Sequence, residues 1–440
     1  MKRCLIFTGT IVCLFLFFSQ GYAQIDNLTN MSAEWIRMSN RNAATDAADI
    51  VVFNPAGLAD LSEGFHINVS NQFLFRKPSH DFTDPLGTGG LSYEQDSPDL
   101  FLPNLYASYR DGDWSVFGGI YIPGGGAVAD YPDGSYTTRA IGVGLLADPA
   151  SPFFGAYTGI TNERLKAGSI YLTTTAGGVY KISEMISVAA GIRNIAVTNT
   201  IEGDLTLTGG VLGPIDTPDI PLSVDVEQED MGWGAVFGVQ IKPDDKLNIA
   251  LHVETPVALN LETDIKSGDN LSESIGLFID GEKNPRDFPG MVGLGVSYLL
   301  TPQFRCEVDL NYWFQEAADW GRADDGSDIS DLAGDCWSFG VAGAYQVSSE
   351  LEVSAGFLYT LFRWDDIDAY YNANAGAVEV QYSDNWNIGF GFAYTVIPGL
   401  KLNLGAGYTM WADEDIITPL GEVEMENSTW TFALGIDYSH

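Results

Sequence analysis

Apolar and polar residues alternate along most of the chain beyond residue 63. The alternation is clearest at 386–396, where large apolar residues at even positions are separated by small or polar residues at odd positions. Successive side chains of a strand point to opposite faces, so a period of two predicts strands with one apolar face. The pattern predicts about fourteen strands, at residues 64–77, 101–110, 113–122, 165–181, 185–205, 222–241, 247–265, 287–300, 303–315, 336–347, 350–364, 381–396, 400–411 and 427–438.

The connections between these strands alternate between very short and very long. Between successive turns lie polar, acidic loops that contain Gly and Pro. A barrel in an outer membrane has short turns on its periplasmic side and long loops on its outer side. We therefore predict an all-β fold, a transmembrane antiparallel β-barrel of about 14 strands, with both chain ends on the periplasmic side. The near-minimal turns are Arg110–Asp113, Ile182–Glu184, Lys242–Lys246, Leu300–Gln303, Val347–Glu350 and Val396–Gly399.

The polar face of the strands does not by itself distinguish a membrane barrel from a soluble sandwich. Strand Phe304–Phe314 has Arg305, Glu307, Asp309 and Asn311 on one face, which suits a wet lumen or a solvated outer face. Aromatic residues near strand ends, where the interfacial girdles of a membrane protein lie, favour the membrane barrel over a soluble sandwich. Gly-x-Gly pairs inside the strands, such as Gly293/Gly295 and Gly389/Gly391, lack the rest of a phosphate-loop fingerprint. We interpret them as small lumen-facing or packing positions.

The composition and the first residues of the chain also fit an outer-membrane protein. The chain has 440 residues and a formal net charge of -38, which argues against nucleic acid as a partner. Residues 1–23 have a charged start, an apolar stretch and small residues around a cleavage position, which is typical of a secretory signal peptide. Of the cysteines beyond it, Cys306 is predicted to face outward and Cys336 inward, so we expect no disulfide between them.

Residues 24–63 do not alternate and form a separate predicted unit. Residues 33–38 and 42–49 have helix-compatible compositions. In the dipeptide Asn54-Pro55, Asn is a good helix cap and Pro is suited to the first helical position. A compact, partly helical piece before a wide barrel predicts a hatch in its lumen. The predicted domains are thus a signal at 1–23, a hatch at 24–63 and a barrel at 64–440.

The run Asn54-Pro55-Ala56-Gly57-Leu58-Ala59 resembles the FadL/TodX family of outer-membrane transporters for hydrophobic compounds. The small and acidic run from Ala43 to Asp49 precedes it, and Gly119-Ile120-Tyr121-Ile122-Pro123-Gly124-Gly125 is similar to the end of the family's third strand. The resemblance covers essentially the whole mature chain.

The resemblance implies a fourteen-stranded barrel with an N-terminal hatch and a lateral exit beside a kink in the third strand. Asn54, Pro55 and Ala56 match the hatch residues. Candidates for the kink are Gly118, Gly119, Pro123 and Gly124, because Gly weakens strand pairing. The inward-facing Arg193 is a candidate for binding a ligand carboxylate, and a lumen salt bridge is the alternative. The implied function is passive uptake of long-chain fatty acids or related hydrophobic small molecules. The implied partners are the transported molecule and the lipid and lipopolysaccharide of the outer membrane.

Several other interpretations remain. A general diffusion porin and a FadL-like accessory for secretion or surface assembly are the main rival functions. No catalytic set, metal site or cofactor motif is apparent, and we predict that the protein is not an enzyme. The loop Asp319–Asp335 is rich in Asp and suits calcium or simple solvation.

Overall fold

The structure is a computed structural model that describes residues 32–95, 98–212, 215–323, 326–372, 378–380 and 383–440. The predicted signal peptide at 1–23, the first part of the predicted hatch, and Asp324 and Asp325 of the acidic loop lie outside these residues.

Fourteen antiparallel strands form one closed barrel, as predicted. The first and last strands close it, with registers running from His66 opposite Ser439 to Arg76 opposite Thr429. The strands are β1 Gly64–Arg76, β2 Asp99–Asp111, β3 Trp114–Tyr121 continuing as Gly125–Tyr131, β4 Gly159–Ser183, β5 Ile186–Thr208, β6 Ile220–Ile241, β7 Leu247–Glu254 continuing as Asn260–Ile265, β8 Gly290–Thr301, β9 Phe304–Phe314, β10 Cys336–Gln346, β11 Leu351–Phe362, β12 Asn385–Ile397, β13 Leu400–Trp411 and β14 Ser428–Ser439.

The barrel is apolar outside and polar inside. On β14, Trp430, Phe432 and Leu434 are 44%, 44% and 46% exposed on the outer surface, while Thr431 and Ala433 between them are buried. Exposed large apolar residues follow the same alternation on the other barrel strands. A water-soluble sandwich buries its apolar face, so this arrangement is that of a barrel surrounded by lipid.

Short turns join the strands at one end of the barrel, which we call the turn end. The opposite end, the loop end, carries the long connections. They contain a four-stranded sheet formed by Glu414–Thr418, Gly421–Glu426, Ser79–Thr83 and Gly90–Glu94. They also contain helices Tyr136–Ala147, Leu271–Ile275, Ile329–Ala333 and Ile367–Asn372. Aromatic residues such as Trp320, Tyr370 and Tyr131 pack beneath this sheet.

No helix among the described residues is long and apolar enough to cross a membrane. Cys306 and Cys336 are free thiols.

Two predicted elements differ from the structure. Strand 247–265 is interrupted between Glu254 and Asn260. The helix-compatible run 42–49 forms turns and bends. Its residues contact the barrel wall instead. Asp309 accepts hydrogen bonds from the N–H groups of Arg41 and Asn42 at 2.7 Å and 2.9 Å, and Arg305 pairs with Asp46 at 3.0 Å.

His80 in the loop-end sheet gives a pH test of this region. Its Nε2 accepts a hydrogen bond from Tyr136 N at 2.9 Å, so the ring must be neutral. Burial lowers the pKa of His80 from its ordinary value of 6.5, against the opposing charges of Glu379 and Asp81. This contribution to stability is present above pH 6.5 and is lost as the pH falls, because the unfolded histidine takes up a proton first.

We expect amide exchange in Tyr136–Ala147 to speed up at pH 5 relative to the barrel, and this change to be smaller in His80→Gln. The same pH dependence of exchange in the native protein and in His80→Gln would contradict a role for the neutral His80 ring.

Candidate functional site

The N-terminal segment, which we define as residues 32–61, lies inside the barrel. It contains α1 Ala33–Ile36, α2 Ile50–Phe53 and a 3₁₀ helix at Pro55–Asp60. Lumen-facing glycines let it approach the wall closely. A Cβ on Gly295 would lie 2.7 Å from Ala43 N, and one on Gly405 would lie 2.9 Å from Ala33 O. The Gly-x-Gly pairs are therefore packing positions, as predicted.

Buried ion pairs hold this segment together and to the wall. Arg41 pairs with Asp49 at 2.5 Å, and neither side chain is exposed. Arg37 reaches Glu352 on β11 at 2.8 Å, and Arg305 on β9 reaches Asp46 at 3.0 Å. Breaking such a pair leaves an uncompensated buried charge, so the two pairs with the wall oppose release of the segment and the Arg41–Asp49 pair maintains its internal structure.

Glu34 forms a second anchor, of a different kind. Its Oε1 accepts from Asn68 Nδ2 at 2.8 Å and from Asn403 Nδ2 at 2.6 Å. The same two amides donate to Asp437 at 2.7 Å and 2.8 Å, which brings two carboxyl groups together. Burial, and then the negative charge of Asp437, raise the pKa of Glu34 well above its ordinary value of 4.5. A carboxyl group held this way favours its protonated form.

Asn54, Pro55 and Ala56 lie near the turn end. Asn54 caps the 3₁₀ helix by accepting from Ala56 N at 3.3 Å, and Pro55 is at its first position. The Asn54 amide donates to Val239 O at 3.2 Å and to Gln240 Oε1 at 2.8 Å on β6. Ser187 donates to Ala56 O at 2.8 Å. The motif thus binds to β5 and β6.

The wall is discontinuous between β2 and β3. Their ladder runs from Asp111–Trp114 to Leu105–Ile120 and stops there. After the break at residues 122–124, the second piece of β3 pairs with β4, and no pairing with β2 occurs among the described residues. Leu74, Leu102 and Ile122 fill the gap with a buried apolar cluster.

Side chains replace the missing ladder beyond this cluster. Asp99 accepts from Val128 N at 2.9 Å, and Arg76 donates to Val128 O at 3.1 Å. These two side chains therefore join β1 and β2 to the second piece of β3.

Of the four kink candidates, Pro123 and Gly124 lie in this break. Gly118 and Gly119 lie in the part of β3 that pairs on both sides. Gly125, which ends the quoted motif but is not among the four candidates, follows the break. Its φ is +65°, and an added Cβ would lie 2.7 Å from the carbonyl carbon of Ser169, so the position admits only glycine. Its place after Pro123 and Gly124 was the available signal.

A pocket lies between the N-terminal segment and the two interrupted strands. Its free volume of about 60 Å³ corresponds to roughly four to six water positions, which is about the size of one aromatic ring. Two carboxylates, Glu254 and Asp309, also line it, and none of its described lining residues is Lys or Arg. The apolar part of the wall includes Trp35, Phe53, Tyr121, Pro123, Phe288 and Trp313.

Arg193 faces inward, as its parity in β5 predicts, and is fully buried beside this pocket. It pairs with Glu254 on β7 and donates to Thr255 O at 2.7 Å. Its guanidinium carbon lies 5.2 Å from the centre of the Phe288 ring. The salt bridge considered as an alternative role is therefore present.

A fourteen-stranded barrel whose lumen holds a short N-terminal segment is the fold of the FadL-type transporters. A Pseudomonas aeruginosa FadL homologue has a TM-score of 0.65 at 12% identity, covering 94% of this chain and 100% of that one. The Pseudomonas putida toluene transporter TodX gives 0.61 at 13% identity over 95% and 100%. The Ralstonia pickettii toluene transporter TbuX gives 0.57 at 13% over 94% and 100%. No family model matches the sequence, and no curated protein matches it.

The Glu34 anchor predicts that docking of the N-terminal segment depends on pH. Because the pKa of docked Glu34 is raised, its contribution is fully present below about pH 4.5 and is lost as the pH rises through the raised value. In Glu34→Gln the side-chain oxygen still accepts from an asparagine amide, and its NH₂ group donates to Asp437. We expect this variant to be thermally more stable than the native protein at pH 8, and this gain in stability to be smaller at pH 5.

Glu184→Gln, at an exposed turn position, is the matched control for this substitution. An equal loss of stability at both pH values in Glu34→Gln would contradict a protonated Glu34.

Proposed function

We propose that this protein is an outer-membrane channel for hydrophobic small molecules, with residues 24–63 as its hatch and a lateral exit between β2 and β3. The loop end faces outward and the turn end faces the periplasm. The observation that carries the proposal is the aromatic pocket, which touches the N-terminal segment at Phe53 and the strand break at Pro123. A molecule bound there is next to the gap in the wall.

A lateral exit suits an apolar cargo. The Leu74, Leu102 and Ile122 cluster separates lumen from lipid by side chains alone, without a continuous ladder. Rotation of such side chains is far easier than breaking strand pairing. The molecule moves from an apolar pocket to the bilayer without entering water, so a downhill path needs no energy coupling.

The lining of the pocket favours uncharged compounds over fatty acids. None of its described lining residues is Lys or Arg, and Arg193 beside it is already paired with Glu254, so a ligand carboxylate would find no free cation there. Burying a carboxylate without a partner is costly. TodX and TbuX are toluene transporters by description, and toluene is an uncharged single ring. We therefore propose neutral aromatic compounds as the cargo and regard long-chain fatty acids as the weaker candidate.

Locking the gap tests the exit route. In Leu102→Cys/Ile122→Cys, oxidation joins β2 to the break in β3. Uptake of a labelled aromatic compound by cells that lack other such channels should then fall to the empty-vector rate and recover with a reductant. The single-cysteine variants should be unaffected. Full uptake through the oxidised protein, with the cross-link verified by mass spectrometry, would contradict a lateral exit.

Releasing the hatch tests the rival porin function. Arg41→Met leaves Asp49 buried and unpaired, which costs about 3–5 kcal/mol of docking. In planar bilayers we expect little steady conductance from the native protein and frequent openings from Arg41→Met. Arg322→Met removes an exposed ion pair in a long loop and serves as the control. Steady, large conductance from the native protein would instead favour a general diffusion porin.

A further inference from the structure

The interruption of β7 at Thr255–Leu259 folds into the lumen. Val257 and Leu259 on this stretch are fully buried. Val257 exchanges two backbone hydrogen bonds of 2.9 Å with Phe288. Together with Tyr171, Ile195 and Val197, these residues form a separate apolar cluster. The chain thus narrows the lumen with side chains from three strands and a connection.

Two glycines on β6 make room for this fold. A Cβ on Gly232 would lie 2.5 Å from Val257 Cγ1 and would also collide with the carbonyl oxygen of Ala258. A Cβ on Gly234 would lie 2.8 Å from Val257 Cγ2. Contacts this short force a neighbour to move, and at Gly232 that neighbour is backbone. Any side chain at Gly232 therefore displaces the segment.

Arg193 fixes both partners of the fold. It bonds to Glu254 and to Thr255 O where β7 is interrupted, and its guanidinium lies over Phe288. A planar cation bonded on its edge and stacked on its face has little freedom to move. Arg193 thus holds the fold in place.

The fold lies on the loop-end side of the pocket. Glu254 and Phe288 belong both to this region and to the pocket wall. On β6, Asn54 contacts Val239 and Gln240 near the turn end, whereas Gly232 is further toward the loop end. The pocket therefore has the N-terminal segment below it and the Thr255–Leu259 fold above it.

We propose that Thr255–Leu259 and Phe288 form a constriction that selects cargo by size before it reaches the pocket, with Arg193 as the positioning residue. This inference rests on the proposed function. The constriction admits compact molecules of one aromatic ring and holds back fused-ring compounds.

Changing the width of the constriction tests this role. Leu259→Ala removes a side chain from the cluster and widens it, whereas Gly232→Ala pushes the segment away from β6 and further into the lumen, which narrows it. Uptake of a one-ring and a three-ring aromatic compound is compared in cells that lack other such channels. We expect the three-ring to one-ring ratio to rise about tenfold in Leu259→Ala, because a methylene or two in an apolar site gives discrimination of that order. One-ring uptake should stay near the native rate in Leu259→Ala and fall in Gly232→Ala.

Gly407→Ala is the matched control, since an added Cβ there would be 3.6 Å from its nearest neighbour. Arg193→Lys keeps a cation opposite Glu254 but loses the stacking on Phe288, so it should raise the same ratio with one-ring uptake retained. A parallel fall in uptake of both compounds would instead mean that Arg193 only supports folding. The heat-dependent electrophoretic shift of a barrel verifies that each variant is folded.

The outcomes separate the two proposals. If the native protein carries the one-ring compound, but the ratio is unchanged in folded Leu259→Ala and one-ring uptake is unchanged in folded Gly232→Ala, the constriction is wrong and the proposed function stands. If the native protein carries neither compound above the empty-vector rate, the proposed function itself fails.

Discussion

A barrel with an apolar outer surface must have a polar lumen, and buried polar groups need partners. The N-terminal segment supplies them. The backbone N–H groups of its Arg41 and Asn42 donate to Asp309. Its Arg37 pairs with Glu352, and its Glu34 accepts from two asparagine amides. The position of the segment in turn sets one wall of the aromatic pocket. The contacts that fill the lumen therefore also position one wall of the pocket.

The two interrupted strands near the pocket are stabilised differently. At β3 the missing stretch of ladder is replaced by side-chain contacts from Asp99 and Arg76. At β7 the interruption is held by backbone bonds between Val257 and Phe288 and by Arg193. Side chains rearrange more readily than ladders do. The wall is therefore most adaptable at the break in β3, beside the pocket. A channel for apolar molecules needs an adaptable region at that place.

The sequence predicts those parts that depend on local periodicity. Strand spans, the inward parity of Arg193 and the cap at Asn54 all follow from alternation or from helix-end preferences. The pairing of Arg193 with Glu254 does not, because the two residues are 61 positions apart. The fold at Thr255–Leu259 is not predicted either, since Val257 and Leu259 continue the parity of the outward-facing Ile249 and Leu251, although both are buried in the lumen. The helix-like run 42–49 fails for a related reason: its contacts are with distant residues, those of Asn42 with Asp309 and of Asp46 with Arg305.

The most direct test of the account is to locate a bound molecule. Crystals of the native protein soaked with a brominated one-ring aromatic compound would reveal bromine by its anomalous scattering. The account predicts a first peak in the pocket between Phe53, Pro123 and Phe288. As more compound is bound, it predicts a second peak beside Leu102 and Ile122. A path of peaks along the barrel axis, past the N-terminal segment to the turn end, would contradict it.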